Sequence, residues 1–211
     1  MTKWQLTRPL AIVVLAGVLT ASLQGCVGIV LGGAVAGSFA ATDRRTLGAQ
    51  TEDKEIAVKA NTRLSSVVGD DGHVDVTSYN RKVLLTGEVK DAQMKQAVEQ
   101  EVKQIAGVQG VMDELDVGGM SGSFTSRSND ALITTEISAT YVNERNLNAN
   151  SIKVVTEHGT VYLLGRVTER EGKIAADLAS GVNGVKKVIK MFEYISEDEL
   201  KDMTGPQGAR S

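Results

Sequence analysis

Two histidines, one cysteine and scattered serines are the side chains of this 211-residue chain that could carry nucleophilic or metal chemistry. His73 starts an alternating apolar segment, and His158 lies in a turn beside Gly159. Along the chain neither has a second His, a Cys or an Asp partner at ligand spacing, so no metal centre is expected. A serine nucleophile needs an oriented base beside it. Ser65 and Ser66 fall on a helical pattern and Ser78 ends a strand, with nothing to activate any of them. Asp70-Asp71 and Asp113-Glu114 read as solvated loop or edge charges. No catalytic residue can be assigned, and the sequence reads as that of a non-enzyme. The single cysteine excludes an intramolecular disulfide and a Cys-based zinc site. Its chemistry must come from its position.

Cys26 closes the segment Leu23-Gln24-Gly25-Cys26. Ahead of it lie Lys3 and Arg8 and then the apolar run Leu10 to Leu23, the charged and apolar regions of an export signal. The run is shorter than the roughly 20 residues a membrane-spanning helix needs. Leu three before the cysteine and a small residue just before it resemble a lipobox. That resemblance implies removal of residues 1–25 and a covalent diacylglycerol plus an N-acyl chain on Cys26, with no other cofactor. Each buried methylene contributes roughly 0.8 kcal/mol, so two or three chains hold durably where one holds marginally. Residue 27 is Val. An Asp there resembles an inner-membrane retention signal, so the expected location is the periplasmic face of the outer membrane. Val27 to Ala41 is rich in Gly and Ala, and Thr42 to Gln50 reads as a polar linker, which makes 26–51 an anchor segment.

The remainder is a duplication. Val83-Leu84-Leu85-Thr86-Gly87-Glu88-Val89 returns as Val161-Tyr162-Leu163-Leu164-Gly165-Arg166-Val167, with the two glycines 78 positions apart. Ile105-Ala106-Gly107-Val108 returns as Val182-Asn183-Gly184-Val185, 77 apart. Helical spacing covers Ile56 to Val68 and Asp130 to Val142, with Asn129 or Asp130 as the second N-cap. Two alternating strands follow, turned at Tyr79-Asn80-Arg81 and at Glu157-His158-Gly159. Amphipathic helices Ala92 to Ile105 and Glu169 to Val182 come next, then strands near Gln109 to Val117 and Lys186 to Ile195. The order is αββαβ twice. The fold class is α+β, each copy a three-stranded mixed sheet with two helices on one face. The copies occupy 52–118 and 128–195, joined by a linker at 119–127 and followed by a tail, 196–211, expected to be disordered.

Strand, "VLLTG" or "VYLLG", helix, "GV..V", strand is a pattern that resembles the BON domain. Two copies behind a lipobox resemble the dual BON-domain outer-membrane lipoproteins. Also carrying the resemblance are Ala41-Thr42-Asp43-Arg44-Arg45, Ser128-Asn129-Asp130 with Ile133-Thr134-Thr135, and Val167-Thr168-Glu169-Arg170-Glu171. The resemblance implies a lipid-anchored protein whose second domain binds anionic phospholipid through its first helix, supporting outer-membrane integrity at sites that include the division site. Carried over by position, Ile133, Ile137 and Tyr141 point to the core, while Leu132, Thr135, Glu136, Ala139 and Val142 lie on the accessible face. Arg127 and Arg145 supply cations. This chain departs from the family where a membrane-inserting Trp and basic residues are usual, having Leu132, Glu136 and Ser138 instead.

Charge separates the two copies. Glu52 to Gly118 holds eight Lys+Arg against thirteen Asp+Glu, whereas Ser128 to Ile195 holds eight of each. The second copy is better suited to an anionic surface. The overall charge of −3 argues against nucleic acid as a partner. The alternative reading is a protein-interaction module for outer-membrane assembly or cell-wall-associated partners, with only the anchor touching membrane. Gly87 and Gly165 are read as structural, placed where a side chain would strike the following helix or where the strand bulges.

Overall fold

The structure is a computed structural model that describes residues 43–118 and 124–204. Cys26, residues 27–41, most of the 119–127 linker and the end of the tail lie outside the described residues. The described residues all belong to one compact unit.

The first copy runs α1 (Leu47–Val68), β1 (Gly72–Tyr79), β2 (Lys82–Val89), α2 (Ala92–Lys103), β3 (Gly110–Asp113) and β4 (Asp116–Val117). The second runs α3 (Phe124–Asn143), a 3-10 turn at Ala149–Ser151, β5 (Ile152–Glu157), β6 (Thr160–Val167), α4 (Glu169–Ser180) and β7 (Lys187–Tyr194). A last helix, α5 (Glu197–Thr204), follows. In each sheet the central strand pairs antiparallel with its predecessor and parallel with its successor, giving β1-β2-β3 and β5-β6-β7. The αββαβ order is therefore realised twice.

Alternation along the central strands determines what packs where. On β2, Val83, Leu85 and Val89 meet Ile56, Ala60, Leu64 and Val98 from the helices. On β6, Val161, Leu163 and Val167 meet Ile133, Ile137, Tyr141 and Ala175. The residues between them, Leu84 on β2 and Tyr162 and Leu164 on β6, face the other way and form a third cluster with Tyr79. The two sheets thus pack against each other, helices outermost. A copy of this size buries only about 60% of its unfolded surface by itself, and that contact adds apolar burial to both copies.

Both hairpins have two-residue turns with positive φ, Asn80 and Arg81 in the first and His158 and Gly159 in the second. These are the left-handed pairs that match strand twist. Several boundaries depart from the sequence reading. Helix α1 starts at Leu47, inside the expected linker, with Thr46 accepting from the Ala49 N–H as its cap. Helix α3 starts at Phe124, so Asp130 lies within it and is no N-cap. The last strand of copy one breaks at Glu114-Leu115, which buries the Leu115 side chain. Glu197–Thr204, expected to be disordered, is helical: Ser196 accepts from the Glu199 N–H, and three acidic residues occupy the first turn. Among the described residues no helix is long and apolar enough to cross a membrane.

Candidate functional site

Each copy ties its first helix to its hairpin through a buried aspartate. Asp53 accepts from the backbone N–H groups of Asn80 (2.7 Å) and Arg81 (2.8 Å) and from the Ser78 hydroxyl (2.6 Å). Asp130 accepts from His158 N–H (2.9 Å) and Gly159 N–H (2.8 Å). A left-handed turn aims consecutive N–H groups at one point, and a carboxylate there satisfies both. Sequence reasoning missed this pair. The available signal was a carboxylate on the apolar face of each first helix, one turn before Ile56 and Ile133. Asp130→Asn is expected to cost about 2 kcal/mol, since one charge-assisted bond is lost and an amide N–H meets a donor. Thermal unfolding would register it as a lower midpoint, whereas an unchanged midpoint would remove the turn-capping role.

The residues expected to form a linker are built into the body. Arg44 makes a bidentate pair with Glu171 at 2.7 Å and 2.7 Å, both side chains 5% exposed, and donates to the Arg166 carbonyl. Glu171 is also the fourth member of a capping box with Thr168 at the start of α4. Burial opposes ionisation of Glu171, but Arg44 and the Thr168 N–H hold its carboxyl below the usual carboxylate range. Arg45 binds Asp43 and Asp53 and stacks over the Tyr79 ring at 4.2 Å. Burial and the Asp43 charge push the Tyr79 phenol up to about 12, where it remains protonated. For Asp53, burial works against the charge, and the Ser78, backbone and Arg45 bonds outweigh it to give a lowered value. Asp43-Arg44-Arg45 therefore straps the start of the body to both copies.

Helix α3 presents the face expected for lipid. Ile133, Ile137 and Tyr141 are buried, whereas Leu132, Thr135, Glu136, Ala139 and Val142 are exposed, Leu132 at 68% and Val142 at 74%. Leu132 and Val142 stand about 15 Å apart along the axis. Arg127 and Arg145 are exposed and form no ion pair among the described residues. At the C-terminal end of α3 an open groove of about 650 Å³ is lined by Arg44, Arg145, Arg170, Tyr141, Val142 and Leu147. Two of its arginines are engaged, Arg44 by Glu171 and Arg170 by the Asn146 carbonyl at 3.2 Å and Glu197 at 3.4 Å.

At Gly87 and Gly165 a side chain would meet a different obstacle from the one the sequence suggested. Neither would strike a helix, and the β1-β2 and β5-β6 ladders run past them without a bulge. A side chain at Gly87 would collide with the His73 carbonyl across the ladder, and one at Gly165 would lie 2.5 Å from the Ser151 carbonyl oxygen.

The histidines also acquire partners that the linear sequence hid. His73 Nε2 lies 3.1 Å from Asp75. His158 Nε2 is 2.8 Å from Glu88 and 3.7 Å from Glu157, and its Nδ1 is 3.3 Å from Asp116. The reading that neither histidine has an Asp partner at ligand spacing is corrected: Asp75 lies two residues from His73 on the same strand, and Asp116 reaches His158 from the other copy.

The BON-domain family profile matches residues 52–119 and 129–196. Outer membrane lipoprotein DolP of Haemophilus influenzae is 38% identical over 178 residues, 83% of this chain and 92% of that protein. A 21 kDa hemolysin of Actinobacillus pleuropneumoniae is 30% identical over 155 residues, 72% and 79% of the two chains. A solved structure of CdsD, a structural protein of the type III secretion system of Chlamydia trachomatis, aligns over 69% of this chain and 97% of its own. Its TM-score is 0.28 at 10% identity.

Proposed function

The chain belongs to the DolP-like family of dual BON-domain outer-membrane lipoproteins, and from that premise we propose that it is a non-enzymatic protein of the periplasmic face, acyl-anchored through Cys26, whose second domain binds anionic phospholipid along α3. The observation that carries this reading is the outward face of α3. Two large aliphatic side chains, Leu132 and Val142, are left in solvent between two arginines that have no internal ion pair. Apolar area of that kind gains by entering the headgroup zone, and each cation near an acidic surface adds about 1 kcal/mol. Leucine lacks the interfacial preference of an indole, and Glu136 sits on the same face. Both features predict weaker binding than a Trp-bearing, basic helix would give. A weak second contact suffices for a protein already held by its acyl chains, because the anchor keeps the local lipid concentration high. Support of membrane integrity, including at division sites, follows as the role of such a contact.

Co-sedimentation of unacylated residues 42–211 with vesicles tests the reading. Binding is expected with phosphatidylglycerol-containing vesicles and not with zwitterionic ones, falling as salt screens the arginines. Leu132→Glu is expected to weaken it at least tenfold, through about 2 kcal/mol of lost burial and an added like charge. No binding at any salt would leave membrane residence to the anchor alone. The acidic first copy would then be the place to seek a protein partner.

A further inference from the structure

The seam between the sheets has two ends, related by the repeat but built from different chemistry. At one end Glu193 is held by Arg166 at 3.0 Å and by the Asn80 side chain at 2.6 Å, with Tyr79 and Arg45 alongside. At the other end three of these positions have changed 78 residues away. Glu88 stands where the second copy has Arg166, Glu157 where the first has Tyr79, and His158 where it has Asn80. The cationic end thus has an acidic counterpart. Among the described residues, Glu88, Glu157 and Asp116 form ion pairs with no Lys or Arg; His158 alone approaches all three.

Glu88 is the telling residue. It sits on β2 with its side chain 5% exposed, and its Oε1 accepts no hydrogen bond among the described residues. The 2.8 Å approach of His158 Nε2 falls outside hydrogen-bond geometry. A buried carboxylate oxygen without a donor is costly unless an ion engages it. Three ligand atoms, one each from Glu88, Glu157 and His158, lie within 4.8 Å of one another. Two donors on one tetrahedral ion at about 2.1 Å stand about 3.4 Å apart, well within that spread. Asp116 faces the other ring nitrogen at 3.3 Å. A carboxylate there accepts a hydrogen bond from the Nδ1–H and so leaves the Nε2 lone pair for a ligand, the usual arrangement behind a metal-bound imidazole.

We propose that Glu88, Glu157 and His158 form a site for a divalent first-row transition ion, of which Zn²⁺ is the representative, with Asp116 orienting the imidazole. The donor set decides the class: one imidazole with two carboxylates suits zinc or manganese, whereas calcium and magnesium take all-oxygen shells. Glu88 belongs to the first copy and the other two ligands to the hairpin of the second, so the ion would clamp one domain to the other.

The test is titration of the full chain in detergent with Zn²⁺ against a chromophoric chelator, with thermal unfolding of the same samples. One Zn²⁺ per chain is expected, raising the unfolding midpoint. Glu88→Gln, which keeps volume, and His158→Asn, which suits the positive φ of that turn, should each weaken binding at least tenfold and abolish the rise. Asp116 is 70% exposed, so Asp116→Asn leaves the fold alone and should weaken binding about tenfold. Absence of saturable binding below millimolar Zn²⁺, equal binding of Mg²⁺, or affinity unchanged in Glu88→Gln and His158→Asn would each overturn the site.

Discussion

Gly87→Ala is expected to lower the unfolding free energy by about 4 kcal/mol, enough to leave a marginal chain largely unfolded. The position combines two constraints. Its φ is +111°, a conformation that residues with a Cβ rarely adopt, which costs roughly 1–3 kcal/mol by itself. An added Cβ would also stand 3.0 Å from the carbonyl carbon of His73 and closer still to its oxygen, on the partner strand of an unbroken ladder. Relief requires β1 to move away from β2, giving up ladder bonds and the Val74 packing. Gly165, at the same place in the second copy, has no positive φ, and a Cβ there would meet the Ser151 carbonyl oxygen at 2.5 Å. Gly165→Ala should therefore cost less, about 2 kcal/mol, through displacement alone. Urea unfolding of the two variants ranks them, and a Gly165 variant less stable than the Gly87 variant would show that the backbone angle is not the deciding term.

What could be read from the sequence was what repeats or alternates. The 78-residue spacing of Gly87 and Gly165, the alternation through Val83-Leu84-Leu85 and the short hairpin turns gave the fold, because each is a local property with a fixed period. The exposed face of α3 was legible for the same reason: Ile133, Ile137 and Tyr141 fix the phase of the helix and hence what lies opposite. What escaped was polar and distant. Asp53 and Asp130 find their donors 25 to 29 positions away, and Arg44 meets Glu171 across 127. Hydropathy contains no sign of such pairings. Asp43-Arg44-Arg45 looked like a linker because charged residues in a row usually stay in water, and these instead supply the strap between the copies. The start of α3 was lost in a Ser- and Gly-rich stretch whose composition favours loops. Helix α5 was legible and was overlooked, since Ser196 followed by Glu199 is the spacing of a capping box. Glu157 stands next to His158 in the chain, but Glu88 and Asp116 come from β2 and β4 of the other copy, so a search along the chain for ligand spacing could not meet the full set.

The Arg44 strap makes the other large prediction. Arg44→Met is expected to cost about 4 kcal/mol, because it leaves Glu171 charged, 5% exposed and short of its principal partner. Glu171→Gln should cost less, about 2 kcal/mol: glutamine retains the capping-box bond to the Thr168 N–H, while Arg44 keeps its bond to the Arg166 carbonyl. The double variant should lose less than the sum of the two, because each single change counts a stranded charge that the pair of changes removes. The sign with pH is fixed by the direction of the shift. Glu171 and Asp53 are both held below their ordinary values in the folded chain, so the unfolded chain binds their protons first. Their stabilisation is complete above the unfolded range near pH 4 and is lost as the pH falls through the folded values. Wild-type urea midpoints should therefore drop steeply from pH 5 to pH 3. In Arg44→Met the Glu171 share of that drop should disappear or reverse, since burial without the guanidinium raises the carboxyl. An acid limb as steep in Arg44→Met as in the wild type would place the lost stability elsewhere, in the Asp53 turn or at the cationic end of the seam.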